Sequence, residues 1–207
     1  MTNAEAGVGQ RWKRRAAGYD MAVAGLLLLA AATGWSDLVL LVSGSVVPGW
    51  ALCVVLLCAA AVLSGVRAVR VRSGAGRTGM PSRPLPVRAV RGVALVAAVL
   101  SCAAGALDEL GAEYYVLHPT GPGGCTAVVR ETSFLVIGSG DVYAIGPSHI
   151  GWGPSGSWIA DDGYRPVASG AYELRWNGRG GRGTIQVHGT ETDPIVSGGS
   201  ASLDCGS

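Results

Sequence analysis

Residues 21–47 read MAVAGLLLLAAATGWSDLVLLVSGSVV. Only Trp35-Ser36-Asp37 interrupts the apolar run. A helix needs about 20 mostly apolar residues to cross the hydrocarbon core of a bilayer, and this stretch is long enough. Two more runs follow: 50–66, WALCVVLLCAAAVLSGV, and 89–107, AVRGVALVAAVLSCAAGAL, charged only at Arg91. The second reaches spanning length if Val46-Val47-Pro48-Gly49 are counted. A helical hairpin buried in a soluble protein would alternate polar and apolar faces, and these runs do not. A cleaved signal peptide suits the basic start of the first run, but that run is long and two others follow it. The sequence therefore predicts three transmembrane helices at about 20–43, 46–66 and 89–107. Asp37 falls where the first helix reaches the outer interface. It could instead mark an early helix end, leaving 38–45 as an interfacial stretch. An interfacial acid is preferred here over a functional intramembrane one.

The charge distribution sets the threading. The net charge of +2 hides an asymmetry along the chain. Residues 1–19 carry Arg11, Lys13, Arg14 and Arg15 against Glu5. Residues 67–91 carry Arg67, Arg70, Arg72, Arg77, Arg83, Arg88 and Arg91 and no acid. Residues 108–207 carry five arginines against eleven acids. Basic residues near helix ends are retained in the cytoplasm. The prediction is a cytoplasmic segment 1–19, a tight outer turn at 44–49, a basic cytoplasmic loop at 67–88, and residues 108–207 outside the cell. The seven arginines are the topology determinants. Trp12 and Tyr19 then fall near the inner interface, and Trp35 and Trp50 near the outer one, as aromatic belts prefer.

The basic stretch invites other readings. Gly74-Ala-Gly76-Arg-Thr-Gly79 spells G-x-G-x-x-G. A dinucleotide cradle needs a strand before the glycines and a helix after them. Here Pro81, Pro84 and Pro86 follow, and prolines end helices. A second match, Gly151-Trp-Gly153-Pro-Ser-Gly156, also lacks a helix signal, and with 33 glycines chance matches are expected. Nucleic-acid binding would set stacking aromatics among the basic residues, and this loop has none. Anionic lipid headgroups are the partner that juxtamembrane arginines suit.

Residues 108–207 change character. EYYVLH (113–118), TAVVRE (126–131), SFLVIG (133–138) and DVYAIG (141–146) read as strands, with Gly138-Ser139-Gly140 as a turn. YELRW (172–176) and TIQVHG (184–189) flank a glycine-rich hairpin turn. The predicted fold is membrane α plus all-β: three helices followed by a small β-sandwich or open barrel. Cys125 and Cys205 are the only cysteines there, and a disulfide between them suits an oxidising compartment. It would tie 190–204, which has little β pattern of its own, across the sheet. Cys53, Cys58 and Cys102 lie within helices and read as small packing residues. Val99-Leu-Ser-Cys102 matches a lipoprotein cleavage pattern, but such sites normally follow an N-terminal signal rather than two earlier spans.

Chemistry is harder to find. His118, His149 and His188 are spaced 31 and 39 residues apart, without the close pair a zinc site usually shows. Asp161-Asp162-Gly163 reads as a turn, since calcium-loop spacing is absent. There is no G-x-S-x-G elbow, and a triad assembled in space leaves no sequence trace. No catalytic residue, metal ligand or cofactor is assigned. The long connection 147–165, PSHIGWGPSGSWIADDGYR, carries Trp152, Trp158 and Tyr164 and is the candidate ligand-binding loop, although capping of the ends of the β core is the plainer and favoured reading of these aromatics.

The stretch CTAVVRETSFLVIGSGDVYAIG (125–146), continued by DDGYRPVASGAYELRW (161–176), resembles uncharacterised membrane proteins of actinobacteria such as streptomycetes. The bias toward Ala, Gly, Val, Leu and Arg, with one lysine, suits such a GC-rich source. The resemblance implies a membrane protein and carries over no site residues. Two functions are weighed. One is a membrane-anchored β domain, displayed outside the cell, that binds an envelope component or another membrane protein. The other is an extracytoplasmic hydrolase or metal-dependent enzyme, which would need the three histidines to converge with an acid. A transporter is disfavoured by the lack of polar groups at the helix midplanes.

Overall fold

The computed structural model describes residues 3–74, 85–178 and 180–206. The chain forms two compact units, one of residues 1–35 and 50–104, the other of 36–49 and 105–207.

The first unit is helical. It holds α1 (Asn3–Trp35), α2 (Gly49–Gly74) and α3 (Leu85–Asp108). All three are long and apolar enough to cross a bilayer, over Gly18–Trp35, Gly49–Val69 and Ala89–Asp108. Small residues set the packing. Ala30, Cys53, Ala60 and Ala98 are buried with Val23 and Leu27, so the helices approach closely. A Cβ on Gly34 would lie only 3.0 Å from the backbone of Ser101. Large apolar chains such as Met21, Leu28, Val62, Val93 and Leu100 point outward, so the helices are apolar on both faces. Polar contacts gather where Asp20 of α1 pairs with Arg67 of α2, and Arg91 of α3 reaches Asp20 (3.9 Å) and Ser64.

The helices run differently from the sequence expectation. α1 stops at Trp35, before the Ser-Asp pair, and does not continue to 43. Residues 38–48 instead form a hairpin, β1 (Leu38–Val42) and β2 (Ser45–Pro48). It turns at Ser43-Gly44, both at positive φ (51° and 82°), as a two-residue hairpin loop requires. Pro48 is tolerated because β2 is an edge strand. α2 runs on to Gly74 and α3 begins at Leu85, so both helices extend into the basic stretch read as a loop over 67–88. Arg77 and Arg83 lie outside the described residues, as do the side chains of Arg70, Arg72 and Arg88.

The second unit is all-β with three layers. The central sheet has strand order β10-β7-β5-β4-β3, from β3 (Glu113–Val116), β4 (Thr126–Phe134), β5 (Ile137–Ile145), β7 (Gly156–Asp161) and β10 (Ile195–Gly198). A sheet of β8 (Tyr172–Asn177), β9 (Arg182–Val187) and β11 (Ser200–Asp204) covers one face. Leu117, Ala127, Val129, Val142, Trp158, Ile185, Val187 and Leu203 form the core on that side. The hairpin β1–β2 joins β6 (Ile150–Trp152) in a third sheet. Val39 buries against Val128, Tyr143 and Ile145 on the other face of the central sheet. Residues 126–129 are therefore buried on both faces, which explains why Ala127, Val128 and Val129 show no polar alternation. The hairpin from between two helices is thus part of the β unit, whose expected boundary was residue 108.

Three turn and strand expectations shift. SFLVIG is not one strand, because β4 and β5 turn at Leu135-Val136. Gly138-Ser139-Gly140 is not a turn but lies in the first half of β5. The stretch 147–165 is not an open loop, since β6 and β7 run through it. The glycine match at 151–156 leads into strand β7, with no helix N-terminus to receive a phosphate. Residues 195–204 form β10 and β11, lying on the sheets as the disulfide argument required.

Candidate functional site

The candidate aromatic trio does not share a surface. Trp158 on β7 is buried (3% exposed) in the core. Its ring occupies the space beside Gly140, where a Cβ would come within 2.2 Å of it. Trp152 on β6 is 75% exposed, and Tyr164 is half-buried in the turn after β7, where its carbonyl closes over Gly138. The three aromatics therefore do not make one ligand-binding loop; only Trp152 presents its ring to solvent.

The histidines are also dispersed. His118 follows β3, His149 lies between β5 and β6, and His188 follows β9, and all three are exposed. Among the described residues, no group of three or more His, Cys, Asp or Glu is placed to hold a metal.

Cys125 and Cys205 are joined as a disulfide, with Cα atoms 5.8 Å apart. The bond links the start of β4 to the chain just after β11, fastening one outer sheet to the central one. Cys205 N–H also donates to Gly181 O at 3.3 Å.

The densest polar cluster was not foreseen. Arg130 of β4 lies on the face that carries Val128. Its Nη2 donates to the Asp108 carbonyl (2.6 Å) and carboxylate (2.7 Å). Its Nη1 donates to Asp141 Oδ2 (3.2 Å), and Nε lies 3.1 Å from Glu109 Oε1. Tyr114 donates to Glu109 at 2.7 Å. Burial works against the guanidinium's charge, but Glu109 and Asp108 outweigh it and hold Arg130 firmly protonated. Burial raises the Asp141 pKa; Arg130 opposes the rise, while Asp37 and Asp108 add to it. Burial likewise raises Tyr114 and Tyr143. Chemically this is a clasp: one cation tying the chain at 108–109 to β4 and β5.

On the opposite face of β4, Glu131 is fully buried. Its two carboxylate oxygens accept the Val167 N–H (2.8 Å) and the Ala168 N–H (2.9 Å). Burial raises its pKa against those two hydrogen bonds. It anchors the connection between β7 and β8. Arg130 could have been found from the sequence once the β4–β5 turn was placed, because that register sets it opposite Asp141; Glu131 could not, because its partners are backbone N–H groups 36 and 37 residues away.

Comparison with known protein families, with curated proteins and with solved structures finds no match.

Proposed function

We propose that the protein is a multi-pass membrane protein whose three helices carry a disulfide-tied β domain outside the cell, where it binds an envelope component or another membrane protein. One observation supports this most. The link between α1 and α2 and the whole chain after α3 build a single β unit. If all three helices span, those two parts of the chain must emerge on the same side. The basic residues of 1–19 and 67–91 then share the other side, the one where positive charge is retained. The disulfide suits the oxidising exterior. A binding role is supported by Trp152, an exposed indole on the edge strand β6, whose open backbone edge could pair with a partner strand.

Reporter fusions test the threading. Insertions at Ser43-Gly44 and after residue 207 should report the outside, and an insertion at residue 78 the inside. Opposite sides for the first two would defeat the proposal. Cross-linking of the full-length protein in cells, followed by mass spectrometry, then identifies the partner, and Trp152→Ala should lower its yield.

A further inference from the structure

We propose that Asn177-Gly178 is a self-modifying site, where the folded chain converts its own asparagine to aspartate and isoaspartate with water as the only co-reactant. The site goes beyond the binding role above and does not depend on the membrane reading. The backbone nitrogen of Gly178 attacks Cγ of Asn177. The new C–N bond closes a succinimide ring, and the side-chain nitrogen leaves as ammonia, taking up the proton that the backbone nitrogen gives off. Water then adds to either ring carbonyl and opens the ring. One carbonyl gives aspartate; the other gives isoaspartate, in which the main chain runs through the former side chain. Water is consumed, ammonia is released, and nothing is oxidised or reduced.

The geometry permits this in the folded state. Asn177 is the last residue of β8 and is exposed. Among the described residues its amide makes no hydrogen bond, so the side chain can turn back on the backbone. Within a strand, pairing on both sides fixes the extended backbone and keeps the next nitrogen away from Cγ. Asn177 escapes that restraint, because its pairing with Arg182 is the last rung of the β8–β9 ladder. Such end rungs open locally at little cost. The attacking nitrogen belongs to Gly178, which has no Cβ to shield it and sits at φ 50°, where glycine moves freely. Gly180 and Gly181 follow at φ 110° and 64°, so the loop yields as the ring closes.

The products act on a built part of the β unit. Directly opposite residues of an antiparallel pair share a face, with Cβ atoms about 4.5–5.5 Å apart. An aspartate at 177 therefore lies beside the Arg182 guanidinium, whose Nε also meets Asp204 Oδ2 (3.1 Å) on β11. The new acid completes a charge row across all three strands of that sheet, next to the disulfide at Cys205. Isoaspartate does the opposite. It adds a methylene to the main chain just after Trp176, whose Nε1 donates to Pro119 O (2.8 Å) and whose ring fills the space beside Gly121 and Gly183. One product tightens this end of the sheet and the other displaces its indole.

The test keeps the full oxidised chain in detergent at mildly alkaline pH, with circular dichroism following the fold. Peptide mass spectrometry reads the exchange of NH for O, and methyl transfer from S-adenosylmethionine by an isoaspartyl methyltransferase reads the isoaspartate. The chain's other asparagine, Asn3, precedes Ala4, whose methyl group shields the nitrogen, and serves as the internal control. The expected result is conversion at 177 and not at 3, at a rate within several-fold of a free peptide spanning 173–182. Asn177→Gln, which would need a larger ring, should lose both signals. An unchanged residue 177 in the folded chain, while the peptide converts, overturns the proposal. Conversion only after denaturant is added, or equal conversion at Asn3, also overturns it.

Discussion

Removing the hairpin 36–49 from the β unit should unfold most of what remains. Without it, Val128, Tyr143 and Ile145, all buried, lose their cover, and β6 loses β1, its strand partner. Burying a side chain of this size contributes about 1.5 to 3 kcal/mol, so three contribute roughly 5 to 9. Residual compactness of the unfolded chain lowers that by about 10 to 40%. Whole-domain stability is about 5 to 15 kcal/mol, so the loss is comparable to the total. The assay compares oxidised 105–207 with the same fragment carrying 36–49 on a long Gly/Ser linker, by near-ultraviolet circular dichroism and dye binding during heating. The fused form should unfold cooperatively. The bare fragment should bind dye at room temperature and melt well over 10 °C lower, or without a transition, since 1 kcal/mol moves the midpoint by about 4 to 8 °C at this size. Equal, sharp transitions would refute the idea that the hairpin is a structural layer of the β unit.

Cys205→Ser opens a loop of 80 residues, which the chain-entropy relation sets at roughly 4.5 kcal/mol. Limited proteolysis should then cut within 190–206, and reductant should destabilise the parent but not the variant; a resistant tail in the variant argues against the tie. Glu131→Gln supplies one acceptor where Val167 and Ala168 present two N–H groups, and should cost about 1 to 3 kcal/mol in denaturant titration. Because burial raises the Glu131 pKa, the folded state holds its proton more tightly than the unfolded one, whose value is about 4.3. Its contribution is therefore complete below that value and declines as the pH rises through the folded pKa. Glu131→Gln should flatten that part of the pH–stability curve, and a steeper curve would reverse the assignment. In the helical unit, Cys53 Sγ meets the Ala98 carbonyl at 3.5 Å and Cys102 Sγ meets the Trp50 carbonyl at 3.9 Å, so the two thiols face each other across α2 and α3. Diamide should join them, with loss of two hydrogens by mass and none in Cys53→Ala; an unchanged mass for the parent would show that the thiols do not meet.

What the sequence reveals and what it hides divide along a physical line. Helix length and composition are written in continuous runs, so α2 and α3 can be read directly. LVLLVSGSVV cannot, because a short apolar run suits a buried strand and a helix equally well. The one local signal, Ser43-Gly44, became visible as a turn only with both φ values positive. Strands with one wet face, such as β8 and β9, betray themselves by alternation. β4 does not, because both of its faces are covered. Gly138 and Gly140 looked like a turn because their reason is tertiary: the Tyr164 backbone and the Trp158 ring occupy the space a Cβ would need. For the same reason Trp158 read as a surface aromatic. The disulfide was legible because compartment chemistry, not local conformation, argues for it. The Leu135-Val136 turn was the most opaque feature, since neither residue favours a turn.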